Sequence, residues 1–359
     1  PSAGLSLQLI ESRKIWDQAP HNAFTDLILV QGKWYCALRE GSGHGSNDGI
    51  LRIIRSDDGV EWESVAGLAF QKPAGYDHAD MREGNFSITP WDELLVNSAV
   101  ALINDGSRIY QSLSYLSPDG TRWSEPYELT DPALNEWMWR TTWHDGYAYN
   151  FSYRCSPPYA IQLYRGTDGR AYAPFGPKYF EGNTYPNEHA FVFAEDDTCW
   201  CLLRRDGGSR TAQLGRAEPP YDNFQWQDLG VAIGGPEMIQ MPNGRLIAAV
   251  RLYDGSTRTS ICWVDHVSGS MTEMLTLPSG GDTGYAGMVL HDDILWVSYY
   301  SSHEGKTCIY LAKVRIVYCD TFNPMDFDMD CEVGFSDFAA FVAEWLECTR
   351  TDDPDCEQF

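Results

Sequence analysis

A polar cluster, an apolar stretch, a Gly/Asp/Asn turn and a second stretch rich in Trp, Tyr and Leu follow one another six times along this chain. The turns fall at Gln31-Gly32-Lys33, Thr89 to Glu93, His144-Asp145-Gly146, Glu195-Asp196-Asp197, Pro242-Asn243-Gly244 and His291-Asp292-Asp293. Between turn centres at 32, 91, 145, 196, 243 and 292 the steps are 59, 54, 51, 47 and 49 residues. A period of that size corresponds to one four-stranded blade, which buries its faces only by stacking on neighbouring copies. Six copies predict an all-β, six-bladed β-propeller of four-stranded antiparallel blades over residues 1–317. The leading stretch Leu5 to Ile15 has no partner unless it completes the last blade, and closing the ring that way removes exposed sheet edges. A β-sandwich with evenly spaced hairpins is the competing architecture.

Composition agrees with many short strands and few helices: aromatic residues make up 13%, and there are 32 Gly and 19 Pro. With 26 basic against 51 acidic residues the formal charge is −25, which argues against a nucleic-acid partner, since phosphate contacts need clustered Lys and Arg. No apolar run approaches the roughly 20 residues of a membrane-spanning helix. Nothing at the start has the form of a signal peptide, so the expectation is a soluble chain whose export signal has been removed. Cys319, Cys331, Cys348 and Cys356 crowd into the last 41 residues, which suggests disulfides and a secreted, extracellular or periplasmic location. Cys36, Cys155, Cys199, Cys201, Cys262 and Cys308 are scattered through strand-like runs and read as buried small apolar residues.

A second recurring pattern, S-x-D-G-x-x-W, occupies Ser56-Asp57-Asp58-Gly59-Val60-Glu61-Trp62 and Ser117-Pro118-Asp119-Gly120-Thr121-Arg122-Trp123, with Thr167-Asp168-Gly169-Arg170-Ala171-Tyr172 as a degraded copy. In each, the Asp can accept turn amides, the Gly can turn left-handed, and the aromatic can fill the space between blades. These roles are structural.

Superposing the six repeats on their first hairpins puts two sets of residues around the axis. Residues before each first strand read His21-Asn22, Asp80-Met81-Arg82-Glu83, Trp139-Arg140, Asn187-Glu188-His189, Pro236-Glu237 and Asp282-Thr283-Gly284-Tyr285. Residues ending each second strand read Arg39-Glu40, Ala99, Tyr153-Arg154, Arg204-Arg205, Arg251 and Tyr299-Tyr300. Arginine at one equivalent position in four repeats forms a fork-shaped receptor for a carboxylate, sulfate or phosphate.

On these residues, together with Gly244-Arg245 leading to Arg251 and the stretch Ser279-Gly280-Gly281-Asp282-Thr283-Gly284-Tyr285, the chain resembles the sialidase (neuraminidase) superfamily over residues 5–317. The resemblance implies an exo-hydrolase that releases a terminal acidic sugar with retention, using a tyrosine nucleophile, a glutamate that activates it, an aspartate acid/base and an arginine cluster. By that resemblance Tyr285 would be the nucleophile and Glu188 its base. A neutral phenol suits attack beside a carboxylate, which repels an anionic nucleophile. Arg204, Arg251 and Arg39 would hold the acidic group, with Arg205 the alternative to Arg204. The family's opening arginine is missing, because blade one reads His21-Asn22-Ala23-Phe24; Arg82 or Arg140 substitutes for it, or the sugar is not a sialic acid. The acid/base is Asp48, on the Gly-rich loop after Arg39, or Asp80 or Glu83 from blade two, with Asp80 preferred. His21 is expected to donate to substrate, with Tyr300 nearby. His21, His44, His189 and His303 lack the close spacing of a zinc motif, so no catalytic cofactor or metal is assigned. Trp137, Trp139 and Trp143, on alternate positions, read as packing between blades.

The C-terminal segment, 318–359, carries a calcium-loop pattern. Asp326, Asp328, Asp330 and Asp337 stand at positions 1, 3, 5 and 12, and Glu332 at 7 offers its carbonyl. The pattern departs at position 6, which is Cys331, and at position 12, where Glu is usual. With the apolar-periodic stretch from Phe338 to Leu346 it resembles half a dockerin module, implying a structural Ca2+ and a protein or cell-surface partner. The expected function is exo-glycoside hydrolysis of a terminal, anionic sugar. A propeller polysaccharide lyase using Arg against a uronate, and a non-catalytic glycan-binding propeller, are the alternatives.

Overall fold

In the computed structural model, residues 4–319, 325 and 333–344 are described. Residues 4–319 form six antiparallel sheets. Their innermost strands are His21–Val30, His78–Ile88, the pair Glu136–Met138 and Thr142–His144, Pro186–Phe193, Ile233–Gln240 and Thr283–His291. These strands touch their neighbours in cyclic order and the last touches the first, so the sheets form a six-bladed propeller. The fold predicted from the period is the fold found. Blade three departs from the others: two short strands pair with the same neighbour, Tyr147–Arg154, and the regular ladder breaks between them at Trp139 to Thr141. The sixth blade is completed by Gly4–Trp16, whose register against Cys308–Cys319 runs from Gly4 opposite Cys319 to Trp16 opposite Ile309. The strand extends two residues past the expected end of the propeller at Val317.

The core lies between the blades, because the alternate residues of each strand point to opposite sheet faces. Ile247, Ile261, Leu295, Val297 and Tyr299, all fully buried, fill the seam between blades five and six. The recurring turns bind adjacent blades in a way their composition only partly shows. Asp58 and Asp119 accept their turn amides as expected, at 2.8 Å from Val60 and 2.8 Å from Arg122. Gly59 and Gly120 have φ of 73° and 72°, and each lies directly against the preceding blade, on Trp296 and Tyr35. The tight contact between blades is made by the glycine as much as by the aromatic.

Of the calcium-loop residues, Asp326, Asp328, Asp330 and Glu332 lie outside the described residues, as do Cys331, Cys348 and Cys356. Asp337 is buried and accepts the Gly334 amide at 2.6 Å, at the start of a helix Phe335–Glu344.

Candidate active site

Five of the six inner strands carry a two-residue bulge near their beginning, between Ala23 and Asp26, Met81 and Gly84, Pro186 and His189, Gly234 and Glu237, and Gly284 and Gly287. In blade three the break at Trp139 to Thr141 takes its place. A bulge turns a side chain that pairing would hold in the sheet toward a new direction. Here the bulged residues are Phe24, Arg82, Glu83, Asn187, Glu188, Gly235 and Tyr285, among others, and they gather at one mouth of the axis. Tyr285 and Phe24 have φ of 50° and 59°. Left-handed backbone at a non-glycine costs on the order of 1 kcal/mol, held here by the surrounding sheets.

At the centre, the Tyr285 hydroxyl donates to Glu188 Oε1 at 2.5 Å. One Arg204 nitrogen donates both to the Tyr285 oxygen (3.0 Å) and to Glu188 Oε2 (2.7 Å). Glu188 Oε2 also accepts the Gly235 amide at 2.9 Å, and a Cβ on Gly235 would strike the Tyr285 ring. Asp206 holds the other side of Arg204 at 3.1 Å. Burial, reinforced by the Glu188 charge, keeps the Tyr285 pKa well above 10, while Arg204 and Arg251 pull it down. The phenol therefore stays protonated at neutral pH. Trp139 meets the Tyr285 ring at 6.0 Å, and Phe24 meets it edge-on at 5.0 Å.

Of Asp80, Arg82 and Glu83 in blade two, Glu83 has a carboxylate oxygen left without a hydrogen bond. Glu83 is buried, its Oε2 has no hydrogen-bond partner among the described residues, and Arg82 Nε stands 3.6 Å away. Burial raises its pKa, Glu188 raises it further, and Arg82 opposes. Asp80, the preferred acid/base from the sequence, is fully buried with both oxygens held: Arg39 at 2.6 Å and the Gly49 amide at 2.8 Å on one, Arg82 at 3.1 Å on the other. Arg39 is likewise 0% exposed, and its remaining donors go to the carbonyls of Met81, Gly43 and Ser46. The pair ties the Gly-rich loop to blade two. Asp48 is exposed on that loop, accepts from Ser42, and has its pKa lowered chiefly by a hydrogen bond from Ser46.

A second group flanks Tyr285 on the side of blades six and one. Arg251 donates to the Tyr300 hydroxyl at 2.6 Å and to the Thr283 carbonyl, and its guanidinium lies 5.3 Å from the Tyr285 ring centre. Tyr300 donates to Asp282 Oδ1 at 2.9 Å. The other Asp282 oxygen faces two imidazoles, His21 Nε2 at 3.0 Å and His44 Nδ1 at 2.8 Å. The burial that would raise the Asp282 pKa is outweighed by these two hydrogen bonds, so it is a carboxylate.

The other expected residues are placed away from this cluster. Arg205 reaches outward to Thr211 and, at 3.0 Å, Asp228. By pairing it is the residue level with Arg251 and Tyr300, but the Asn187–Glu188 bulge puts Arg204 on the axial side instead. Arg140 lies between Asp26 (3.2 Å) and Glu237 (2.7 Å) further down the axis. Beyond it, at the opposite mouth, a hollow of about 530 Å³ is lined by Arg140, Glu237, Phe86, Trp143 and Phe193. Trp137 and Trp139 are buried between blades, as read from their spacing. His189 is buried and its pKa is lowered to about 3, chiefly by burial, so it carries no charge. Asp282, Phe24, Asp206 and the Gly235 amide were not singled out for chemistry from the sequence. Only Asp282 left a signal, its place in the last of the six axial stretches.

The fold and its mouth thus define a six-bladed propeller with an axial Tyr–Glu–Arg cluster. No protein-family model matches the chain, and no curated protein matches its sequence. Solved structures do match its fold. A protein of unknown function from Dyadobacter fermentans aligns at 17% identity with a TM-score of 0.75, covering 87% of this chain and 100% of that one. The α-L-arabinofuranosidase of Fusarium graminearum, solved with an iminosugar inhibitor, aligns at 14% identity and a TM-score of 0.65, covering 86% and 98%. The sialidase of Trypanosoma rangeli, in complex with the inhibitor DANA, aligns at 10% identity and a TM-score of 0.63, covering 97% of this chain and 62% of that one. At these identities the likeness is one of fold.

Proposed function

We propose that the chain is an exo-acting glycoside hydrolase that removes a terminal, anionic sugar with retention, with Tyr285 as nucleophile, Glu188 as its base and Glu83 as acid/base. The observation that carries this reading is the 2.5 Å hydrogen bond from Tyr285 to Glu188, with Arg204 spanning both. In the first step Tyr285 Oη bonds to the anomeric carbon while its proton passes to Glu188. The glycosidic bond breaks as the departing oxygen takes the Glu83 proton. In the second step Glu83, now a carboxylate, takes a proton from water, and the water oxygen bonds to the anomeric carbon. The tyrosyl–carbon bond breaks and Tyr285 recovers its proton from Glu188. Arg204, on the phenol oxygen, opposes the negative charge that forms there in both transition states. Arg251 and Arg82 are the cations at hand for the sugar's acidic group. Glu83 is chosen over Asp80 and Asp48 because it is a buried acid with a raised pKa and an oxygen free to donate, whereas Asp80 has both oxygens occupied and Asp48 has its pKa lowered.

A second reading rests on the pairing of Arg204 with Glu188 and Asp206, which leaves fewer unpaired cations than an acidic sugar would use. In it, Glu83 and Glu188 act as the two carboxylates of an ordinary glycosidase on a neutral sugar, and one of the fold's neighbours is an arabinofuranosidase. Tyr285→Phe decides between the two. Loss of at least about 10³-fold in kcat with ligand binding retained supports the tyrosine mechanism, as expected when a nucleophile is removed. Near-parental activity in Tyr285→Phe, with Glu188→Gln inactive, supports the two-carboxylate one. An unsaturated, ultraviolet-absorbing product would instead mean a lyase, and no turnover on any aryl glycoside or oligosaccharide would mean a binding module. The proposal includes export from the cell and, for 318–359, a calcium-binding unit that docks to a protein or cell-surface partner, tested by Ca2+ titration of the full chain.

A further inference from the structure

His21 opens the inner strand of blade one, His44 sits in the loop after that blade's second strand, and Asp282 immediately precedes the inner strand of blade six. His44 and Asp282 are 238 residues apart, yet His21 Nε2, His44 Nδ1 and an Asp282 carboxylate oxygen all lie within 4.8 Å of one another. We propose that these three side chains form a binding site for a single divalent transition-metal ion of the zinc class at the rim of the axial cavity.

Two imidazoles and one carboxylate suit Zn2+ or Co2+, while Ca2+ and Mg2+ take oxygen ligands almost exclusively. The 3.0 and 2.8 Å contacts are hydrogen bonds; ligand atoms on one tetrahedral ion with bonds of about 2.0–2.2 Å stand about 3.3–3.6 Å apart, so the three atoms need part by only about half an ångström to admit it. The second Asp282 oxygen is held by Tyr300 at 2.9 Å and the Asp282 amide by Ser302 at 2.8 Å, which orients the first oxygen toward the histidines. Such outer contacts fix the geometry of a metal ligand.

The loop that carries His44 is pinned on both flanks. Arg39 binds the Gly43 and Ser46 carbonyls at 3.0 and 3.1 Å, and Arg108 binds the Gly45 carbonyl at 2.5 Å and the Asn47 side chain at 2.6 Å. Two arginines from different blades therefore bring one solvent-facing histidine to an aspartate. With three protein ligands, a tetrahedral ion keeps one open position. The side open to solvent is that of His44 and Asp282, whose side chains are 53% and 30% exposed. The His44 ring is 5.0 Å from the Phe24 ring, and that ring is 5.0 Å from Tyr285. An oxygen of a bound glycan, or water, would take the open position beside Arg251.

The test is titration of the chelator-treated full chain with CoCl2 and ZnCl2, followed by visible absorption and calorimetry. Wild type is expected to take up one Co2+ with d–d bands of a tetrahedral or five-coordinate ion, displaced by Zn2+. His44→Ala, on an exposed loop, should abolish the bands and weaken Zn2+ binding by more than the roughly 10–100-fold that loss of an outer-shell partner costs. Asp282→Asn should do the same, and its circular dichroism reports whether it folds. Uptake that His44→Ala changes by less than tenfold, or no uptake by wild type, overturns the proposal. Neither result depends on which glycan, if any, is cleaved.

Discussion

Replacing Glu83 by Gln preserves its shape and removes the one proton the proposed mechanism draws from it. Burial and the Glu188 charge hold the Glu83 pKa above its ordinary 4.5, with Arg82 opposing. The acid form is the active one, so kcat/KM declines as pH rises through the raised pKa, and that basic limb belongs to Glu83. General acid assistance contributes roughly 10²–10⁴-fold, or about 2.7–5.4 kcal/mol at 1.36 kcal/mol per decade. The loss depends on the leaving group. A glycan with an alkoxide leaving group should lose the full factor in Glu83→Gln. A nitrophenyl glycoside leaves as a stable anion, so it should release a near-normal burst of nitrophenol and then turn over slowly, because the second step lacks its base. Azide, which attacks without a base, should restore turnover. Stopped-flow absorbance on both substrates, across pH, reads all of this. Equal losses on the two leaving groups, or a basic limb that survives in Glu83→Gln, would refute the reasoning. A leaving-group dependence in Asp48→Asn instead would move the role to that residue.

Arg39→Met should cost roughly 3–5 kcal/mol in chemical denaturation, because it strips a charge partner from the fully buried Asp80; unchanged stability with weakened ligand binding would restore Arg39 as a receptor for the substrate. Glu237 shares Arg140 with Asp26, and Asp26 already accepts the Phe86 and Leu27 amides, so the proton retained by this buried trio sits on Glu237. Burial raises the Glu237 pKa from 4.5 to about 8, so the unfolded chain is ionised where the folded one is not, and wild type should lose stability relative to Glu237→Gln as pH rises from 4.5 to about 8. A difference between the two that stays flat over that range would mean that Glu237 is ionised in the folded state.

The ring of six blades was legible because a period survives any local irregularity, and the orphan stretch at the start pointed to its own partner. Tyr285 and Glu188 were legible through the resemblance, and the structure joins them. What failed to read was orientation. Arg204 and Arg205 are adjacent, and the bulge at Asn187–Glu188 opposite them decides which of the two faces the axis; in blade two the bulge brings the adjacent Arg82 and Glu83 there together. Bulges leave no compositional mark here except Gly235, whose lack of a side chain admits the Tyr285 ring. Counting arginines at strand ends likewise overstated the receptor, since Arg39 and Arg205 are consumed by loops of their own blades. The two histidines drawn to Asp282 could not be foreseen from spacing, because they arrive on different elements across the seam where the ring closes.

That seam gives the molecule a temporal order. The blade that bears Tyr285 and Tyr300 is finished by a segment that precedes all the other strands, Gly4–Trp16, which must wait, unpaired, until residues beyond 300 have been made. Unlike an open repeat array, where any neighbouring units are stable together, the circle is latched last and across its greatest contour length. Tyr285 thus becomes fixed only after the strands of all six blades have been made, and a chain that lacks Gly4–Trp16 should lose the Tyr285–Glu188 hydrogen bond before it loses the other five blades.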